Sequence, residues 1–179
     1  MSILKIAVNT ADHHIGNTNA AVTLVEYGDF ECPYCGRAHP LIKRLLEEKG
    51  NEFQFVFRNF PLRQIHPNAY IAAISAEAAG RQGKFWEMHD LLYENQDKLG
   101  MDYLYLLAKL LGLDLAQFTK DSESRVLLDK IQTDFEGGIR SGVNGTPSFF
   151  INGQKLLTYD ETYESLLDAI LLESEMKQH

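Results

Sequence analysis

The spacing of apolar residues divides the chain into stretches of period two and stretches of period near 3.6. Val22-Thr23-Leu24-Val25-Glu26-Tyr27 is mostly apolar and β-branched, which predicts a buried strand with one acid inside it. Gly28-Asp29 ends it. From Pro33 to about Lys49 the pattern turns helical: Leu41, Ile42, Leu45 and Leu46 form one face and Gly50 marks the stop. Pro33 stands where a first-turn proline is tolerated, and Pro40 is expected to kink the helix. Phe53, Phe55 and Phe57 then alternate with Gln54, Val56 and Arg58, a strand ended by Pro61. Before all of these, residues 3–8 read as a short edge strand and 9–21 as a polar loop.

Residues 67–141 carry no convincing strand. Helices are predicted at 69–79, 84–97, 102–111 and about 122–140, punctuated by Gly80, Gly83, Gly100 and Gly112. A loop, Gly142 to Pro147, leads to a strand at Ser148-Phe149-Phe150-Ile151. Asn152-Gly153 signals a hairpin, with Gln154 to Leu157 returning. A last helix follows, with Thr158 and Glu161 as its expected capping box and Tyr163, Leu166, Leu167, Ile170 and Leu171 as its buried stripe. The order is β-α-β, a helical block, then β-β-α. The first two strands need a crossover and are therefore parallel; the last two form an antiparallel hairpin.

Length and charge narrow the field. The 179 residues suit one domain, at about 100–200 residues each. A net charge of −8 argues against nucleic acid or an anionic membrane as the main partner. No run approaches the roughly 18 uninterrupted apolar residues of a membrane span. The stretch Met1 to Val8 is too short for the apolar part of an export signal, so the chain reads as cytoplasmic, or as exported if a leader has been removed.

The two cysteines, Cys32 and Cys35, are the richest chemical signal. Chance would place two cysteines three apart in roughly 1% of cases. Three readings compete: a redox dithiol, two inert buried thiols, or part of a zinc site. The zinc reading needs further ligands, His39 nearby or His66 and His89 from afar. His13-His14 is a weaker metal hint.

The local sequence resembles the thioredoxin fold of the DsbA-like thiol–disulfide oxidoreductases. The match runs from Val22 through Cys32-Pro33-Tyr34-Cys35, then Arg58-Asn59-Phe60-Pro61-Leu62, His66-Pro67-Asn68-Ala69, residues 83–90 and Gly145-Thr146-Pro147-Ser148 to Gly153. It implies an α/β protein in which residues 1–62 and 142–179 form the thioredoxin fold and 63–141 an inserted helical subdomain. It implies exchange of disulfides with protein or peptide substrates, a redox partner that recycles the dithiol, and no metal or organic cofactor. It also implies that the Thr146–Pro147 bond is cis, faces the cysteines and pairs the Thr146 backbone with an extended substrate. Pro33 and Tyr34 shape the environment of the pair and suggest an intermediate redox poise.

Residue chemistry supports the dithiol. Cys32 falls at a helix start, where unpaired N–H groups favour a thiolate, so it is expected to be the exposed nucleophile. Cys35, one turn further in, is expected to resolve the mixed disulfide. Glu26, six residues before Cys32, matches the position of a buried acid in the family; burial would raise its pKa and suit it to move a proton for Cys35. The alternative is a strand-end acid reaching solvent. His39 reads as a solvated helix residue that could tune the pair, and Phe85, Trp86, Met88 and His89 as helical core. Two other functions stay open: a non-catalytic thioredoxin-like binding or chaperone module, and a glutathione-linked thiol transferase. Asp29 and Glu31 beside Cys32 weigh against the latter, which calls for basic groups.

Overall fold

In a computed structural model, which describes residues 2–177, the strands form one five-stranded sheet in the order β1-β3-β2-β4-β5. β2 (Val22–Gly28) and β3 (Phe53–Asn59) are its centre and run parallel, joined by the helix α1 (Pro33–Lys49) as the crossover rule demands. β4 (Ser148–Ile151) pairs antiparallel with β2, and β5 (Gln154–Lys155) pairs antiparallel with β4. Between β3 and β4 the chain forms α2 (Ala69–Gly80), α3 (Phe85–Glu94), α4 (Met101–Leu110), α5 (Leu115–Ser122) and α6 (Arg125–Arg140). α7 (Tyr163–Met176) closes the fold. This is the thioredoxin fold with its helical insertion. Among the described residues no helix is long and apolar enough to cross a membrane.

The sheet is covered on both faces, which is why β2 and β3 read as nearly continuous apolar runs. Leu24, Phe53, Phe55, Phe57 and Phe149 pack on one face with α1, α3 and α7 residues such as Leu45, Met88 and Leu166. Val25, Tyr27, Val56, Phe60 and Phe150 form a smaller core on the other. Strand alternation thus sends Glu26 and Tyr27, adjacent in sequence, to opposite faces.

Several local expectations are corrected. The edge strand is β1 (His13–Gly16), antiparallel to β3, and not residues 3–8. In the 3–8 segment only Ile3 makes a bridge, to Gln154, because the carbonyls of Ile6 and Ala7 accept hydrogen bonds from the Arg58 guanidinium instead of from a strand. β1 is polar because its most inward residue, His13, covers the core as a flat ring stacked 3.4 Å from Phe85. The last helix starts four residues later than its expected cap: Thr162 accepts from the Ser165 N–H, while Glu161 adopts a positive φ of 69° and binds Arg37. α5 lies in a stretch left without an element, although Asp114 caps it by accepting from the Gln117 N–H at 2.9 Å, a legible helix start. The stretch 84–97 is not one helix: α3 ends at Glu94, and Gln96–Lys98 make a separate single turn.

Candidate active site

Cys32 is the N-cap residue of α1, with extended backbone angles, and Pro33 takes the first helical position. Pro33 lacks the N–H that would be unpaired there anyway. Both thiols are covered: Cys32 is 3% exposed and Cys35 0%. Cys32 is thus not the exposed thiol expected from its helix-end position, because the Thr146–Pro147 loop closes over it. That peptide bond is cis, and the Thr146 carbonyl accepts from Cys32 Sγ at 3.3 Å. Tyr34 stands outside, 50% exposed, with the Arg37 guanidinium 4.3 Å from its ring centre. Tyr34, Thr146, Pro147, Phe149 and Tyr159 line an open cavity of about 360 Å³ beside the sulfur.

The environment splits the two thiols. A hydrogen bond from the Cys35 thiol is the largest influence holding the Cys32 thiol down to about 5. Hydrogen bonds from the Cys35 and Tyr34 backbone N–H groups act in the same direction, against burial. Burial comes first in pushing the Cys35 thiol well above its ordinary range, reinforced by the Cys32 sulfur and by Glu26. One thiol is therefore a thiolate at neutral pH and its neighbour is not.

Glu26 lies beneath the pair and is 2% exposed, so the solvent-reaching reading is excluded. Its cross-strand partners are Phe57 and Phe149, which offer no hydrogen bond, and its Oε1 has no partner among the described residues. Burial, and secondarily the charge on Cys32, pushes this carboxyl up to about 8. Two tyrosines not singled out from the sequence complete the surroundings. The Tyr93 and Tyr159 hydroxyls are buried without partners among the described residues, and both phenols are pushed up, first by burial and then by nearby charges that include Glu26 and Cys35. Only a three-dimensional contact could have found them, since each reads as ordinary helix or loop apolar surface.

The remaining candidates have other partners. Asp29 is fully buried: its carboxylate accepts from the backbone N–H groups of Glu31 and Leu62 and pairs with His66 Nδ1 at 2.8 Å. Glu31 is occupied by the backbone and side-chain amides of Asn68. Asp29 therefore presents no charge to the groove, and it does not bear on glutathione. His39 is buried, not solvated. It shares Asp90 with His89, at 3.0 and 3.1 Å, and the Lys43 ammonium sits 3.3 Å from the other carboxylate oxygen. His13 pairs with Glu77 at 2.8 Å. Of the histidines weighed as zinc ligands, His39 and His89 thus converge on Asp90, their ligand atoms within 4.8 Å of one another and with no cysteine among them, while His66 pairs with Asp29 and His13 with Glu77.

Residues 8–170 match the sequence profile of a family described as Thioredoxin. A thioredoxin-like oxidoreductase from Silicibacter pomeroyi DSS-3 superposes with a TM-score of 0.83 at 27% identity, covering 96% of this chain and 95% of that one. Oxidised BdbD from Bacillus subtilis gives 0.82 at 20% identity, with 97% and 98% covered. The thiol-disulfide exchange protein alpha-DsbA2 from Wolbachia pipientis gives 0.81 at 20%, with 92% and 88% covered. Curated relatives carry a different name. A Na(+)/H(+) antiporter NhaA 1 of Salinispora arenicola is 48% identical over 144 residues, 80% of this chain and 22% of that protein. An NhaA of Herminiimonas arsenicoxydans is 37% identical over 160 residues, 88% of this chain and 25% of that protein. This chain spans a quarter or less of the length of those two relatives.

Proposed function

This chain belongs to the thioredoxin family, and on that footing we propose that it exchanges disulfides with protein or peptide substrates, Cys32 attacking and Cys35 resolving. The observation that carries the reading is the opposite perturbation of two thiols three residues apart, one lowered to about 5 and one raised. The Cys32 thiolate attacks one sulfur of a substrate disulfide. A Cys32–substrate bond forms, the substrate S–S bond breaks, and the first substrate sulfur leaves as a thiolate that takes a proton from solvent. Cys35 then gives up its proton and attacks Cys32 Sγ. The Cys32–Cys35 disulfide forms, the second substrate thiol leaves, and two electrons have passed to the substrate. The reverse sequence oxidises a substrate dithiol.

Glu26 is placed in the second step. Part of its raised pKa comes from the negative sulfur of Cys32. That charge disappears once Cys32 is in the mixed disulfide, so the carboxyl becomes more acidic just when Cys35 needs a base. The cavity beside Thr146 would receive an extended substrate segment, whose backbone would pair with the Thr146 carbonyl that the Cys32 thiolate leaves free. Sodium–proton exchange is not carried over from relatives of which this chain represents a quarter or less.

Alkylation of the reduced protein at pH 5–6 tests the assignment: Cys32 should be labelled ahead of Cys35. Cys35→Ser should accumulate mixed disulfides through Cys32, and Cys32→Ser should accumulate none. Labelling of Cys35 first, or trapping by Cys32→Ser, reverses the roles.

A further inference from the structure

We infer that Gln96 is a positioning residue for the dithiol: its carboxamide clamps the Phe30–Cys32 backbone from the helical block, and position 36 is glycine so that the clamp can close. Gln96 Nε2 donates to the carbonyls of both Phe30 and Cys32, each at 2.8 Å. These acceptors flank Glu31, so one amide group holds the chain from both sides as it enters the nucleophile. The Cys32 carbonyl also accepts the first helical bond, from the Gly36 N–H at 3.0 Å. It therefore carries two donors on the residue whose sulfur takes the charge.

The break after α3 is what delivers this side chain. α3 stops at Glu94, and Asn95 leaves helical angles with φ −132° and ψ 35°. The Asn95 side-chain amide donates to the Leu91 carbonyl at 2.8 Å, and its oxygen accepts from the Tyr103 hydroxyl at 2.8 Å. Both ends of that residue are fixed, so the next one, Gln96, points back at α1 from a defined turn. Buried Leu99 anchors the far side of the turn.

The glycine is the independent sign. Gly36 lies in the first turn of α1 and outside the left-handed region, so its backbone does not require glycine. Alanine there would ordinarily favour the helix. A Cβ at position 36 would instead overlap Gln96 Oε1 and lie 2.7 Å from its Cδ. The obstructing atoms are the end of a flexible side chain, so an alanine would expel the clamp and leave the helix standing.

The inference rests on Cys32 being the low-pKa thiol of the proposed function. The test is the pH dependence of Cys32 alkylation in the reduced parent, Gly36→Ala, Gln96→Met and the double variant. Methionine fills much the same space without a donor. Each single variant should move the Cys32 midpoint up by about half a unit, the size expected from losing one oriented dipole near an anion. The double variant should move it no further than the larger single change, because both remove one interaction. Gly36→Ala should leave α1 intact and lower thermal stability no more than Gln96→Met does, while both shift the titration; a glycine needed only by the backbone of α1 would lower stability without moving the Cys32 midpoint. Single variants that overlay the parent, or two shifts that add in full, overturn the clamp alone. A parent whose Cys32 titrates near 9 overturns the proposed function together with the clamp.

Discussion

Two buried ionisable side chains sit back to back on the central strands, and they are treated in opposite ways. Arg58, on β3 beside Tyr27, donates to both oxygens of Asp12 at 2.8 Å, to the Ile6 and Ala7 carbonyls and to the Tyr27 hydroxyl. Its guanidinium is matched on every edge, and Asp12 is held below its usual range despite burial. Glu26, on the other face of β2, has apolar cross-strand neighbours, an oxygen without a partner and a pKa near 8. A buried ion with all its hydrogen bonds is inert, and its job is to fasten the N-terminal segment to the sheet. A buried acid left without partners keeps its proton near neutral pH and can give it up when a nearby charge changes.

The largest expected effect breaks the satisfied side. Asp12→Ala leaves the Arg58 charge buried beside only neutral acceptors and should cost about 3 kcal/mol in urea unfolding. Exchange activity per folded molecule should be unchanged, because the ion pair faces away from Cys32. An equally stable variant would mean that the buried pair is not needed to hold Arg58.

On the other face the sign reverses. Glu26 has a folded pKa of about 8 against 4.5 for a free carboxyl. Below pH 4.5 both folded and unfolded chains hold the proton. Between 4.5 and 8 only the folded chain holds it, so this group's contribution to stability is lost as pH rises through that window. Cys32 acts oppositely in the reduced protein: its pKa falls from 9.0 to about 5, so its contribution is present at high pH and lost as pH falls through 5. Comparing Glu26→Leu with the parent at each pH cancels the Cys32 part to first order. The variant should match the parent near pH 4.5 and exceed it by on the order of 2 kcal/mol by pH 6. Its mixed disulfides should resolve more slowly. A stability difference that stays flat from pH 5 to 8 would remove Glu26 as a buried proton carrier.

How far this contrast can be read from the sequence is uneven. Val22–Tyr27, Pro33–Lys49 and the Ser148 hairpin follow from period and turn chemistry, and the Cys32–Cys35 spacing with Thr146-Pro147 marks the fold. Glu26 stands out because an acid interrupts an apolar run. Asp12 and Arg58 do not stand out: they lie 46 residues apart in chain order, one in a polar loop and one in a strand, and only sheet pairing brings them together. Gln96 is hidden for the same reason, since nothing in Asn95-Gln96-Asp97 shows that the helix breaks toward the cysteines. Contacts local in sequence leave a pattern, whereas a polar side chain that crosses from the helical block to the sheet leaves none.

The finest test of the contrast uses the same substitution on both faces. Tyr27 and Tyr159 are both buried at their hydroxyls, and each lies near one of the two charged groups. Tyr27 Oη accepts from Arg58 Nη1 at 3.1 Å, so Tyr27→Phe removes an acceptor from a buried cation and should cost about 1–2 kcal/mol. The Tyr159 hydroxyl has no partner, and its phenol is held protonated by burial first and by Glu26 second. Tyr159→Phe breaks no bond and relieves a desolvated hydroxyl, so it should be neutral or stabilising by less than about 1 kcal/mol. Its ring contact with Phe149, at 4.8 Å between centres, is retained by phenylalanine. Urea unfolding of the two variants at one pH reads the difference directly. Equal losses at the two positions would mean that the Tyr159 hydroxyl is bonded in solution. The side of the sheet that holds the dithiol would then be as fully satisfied as the side that holds Arg58, and the reactivity of Glu26 would have to come from burial alone.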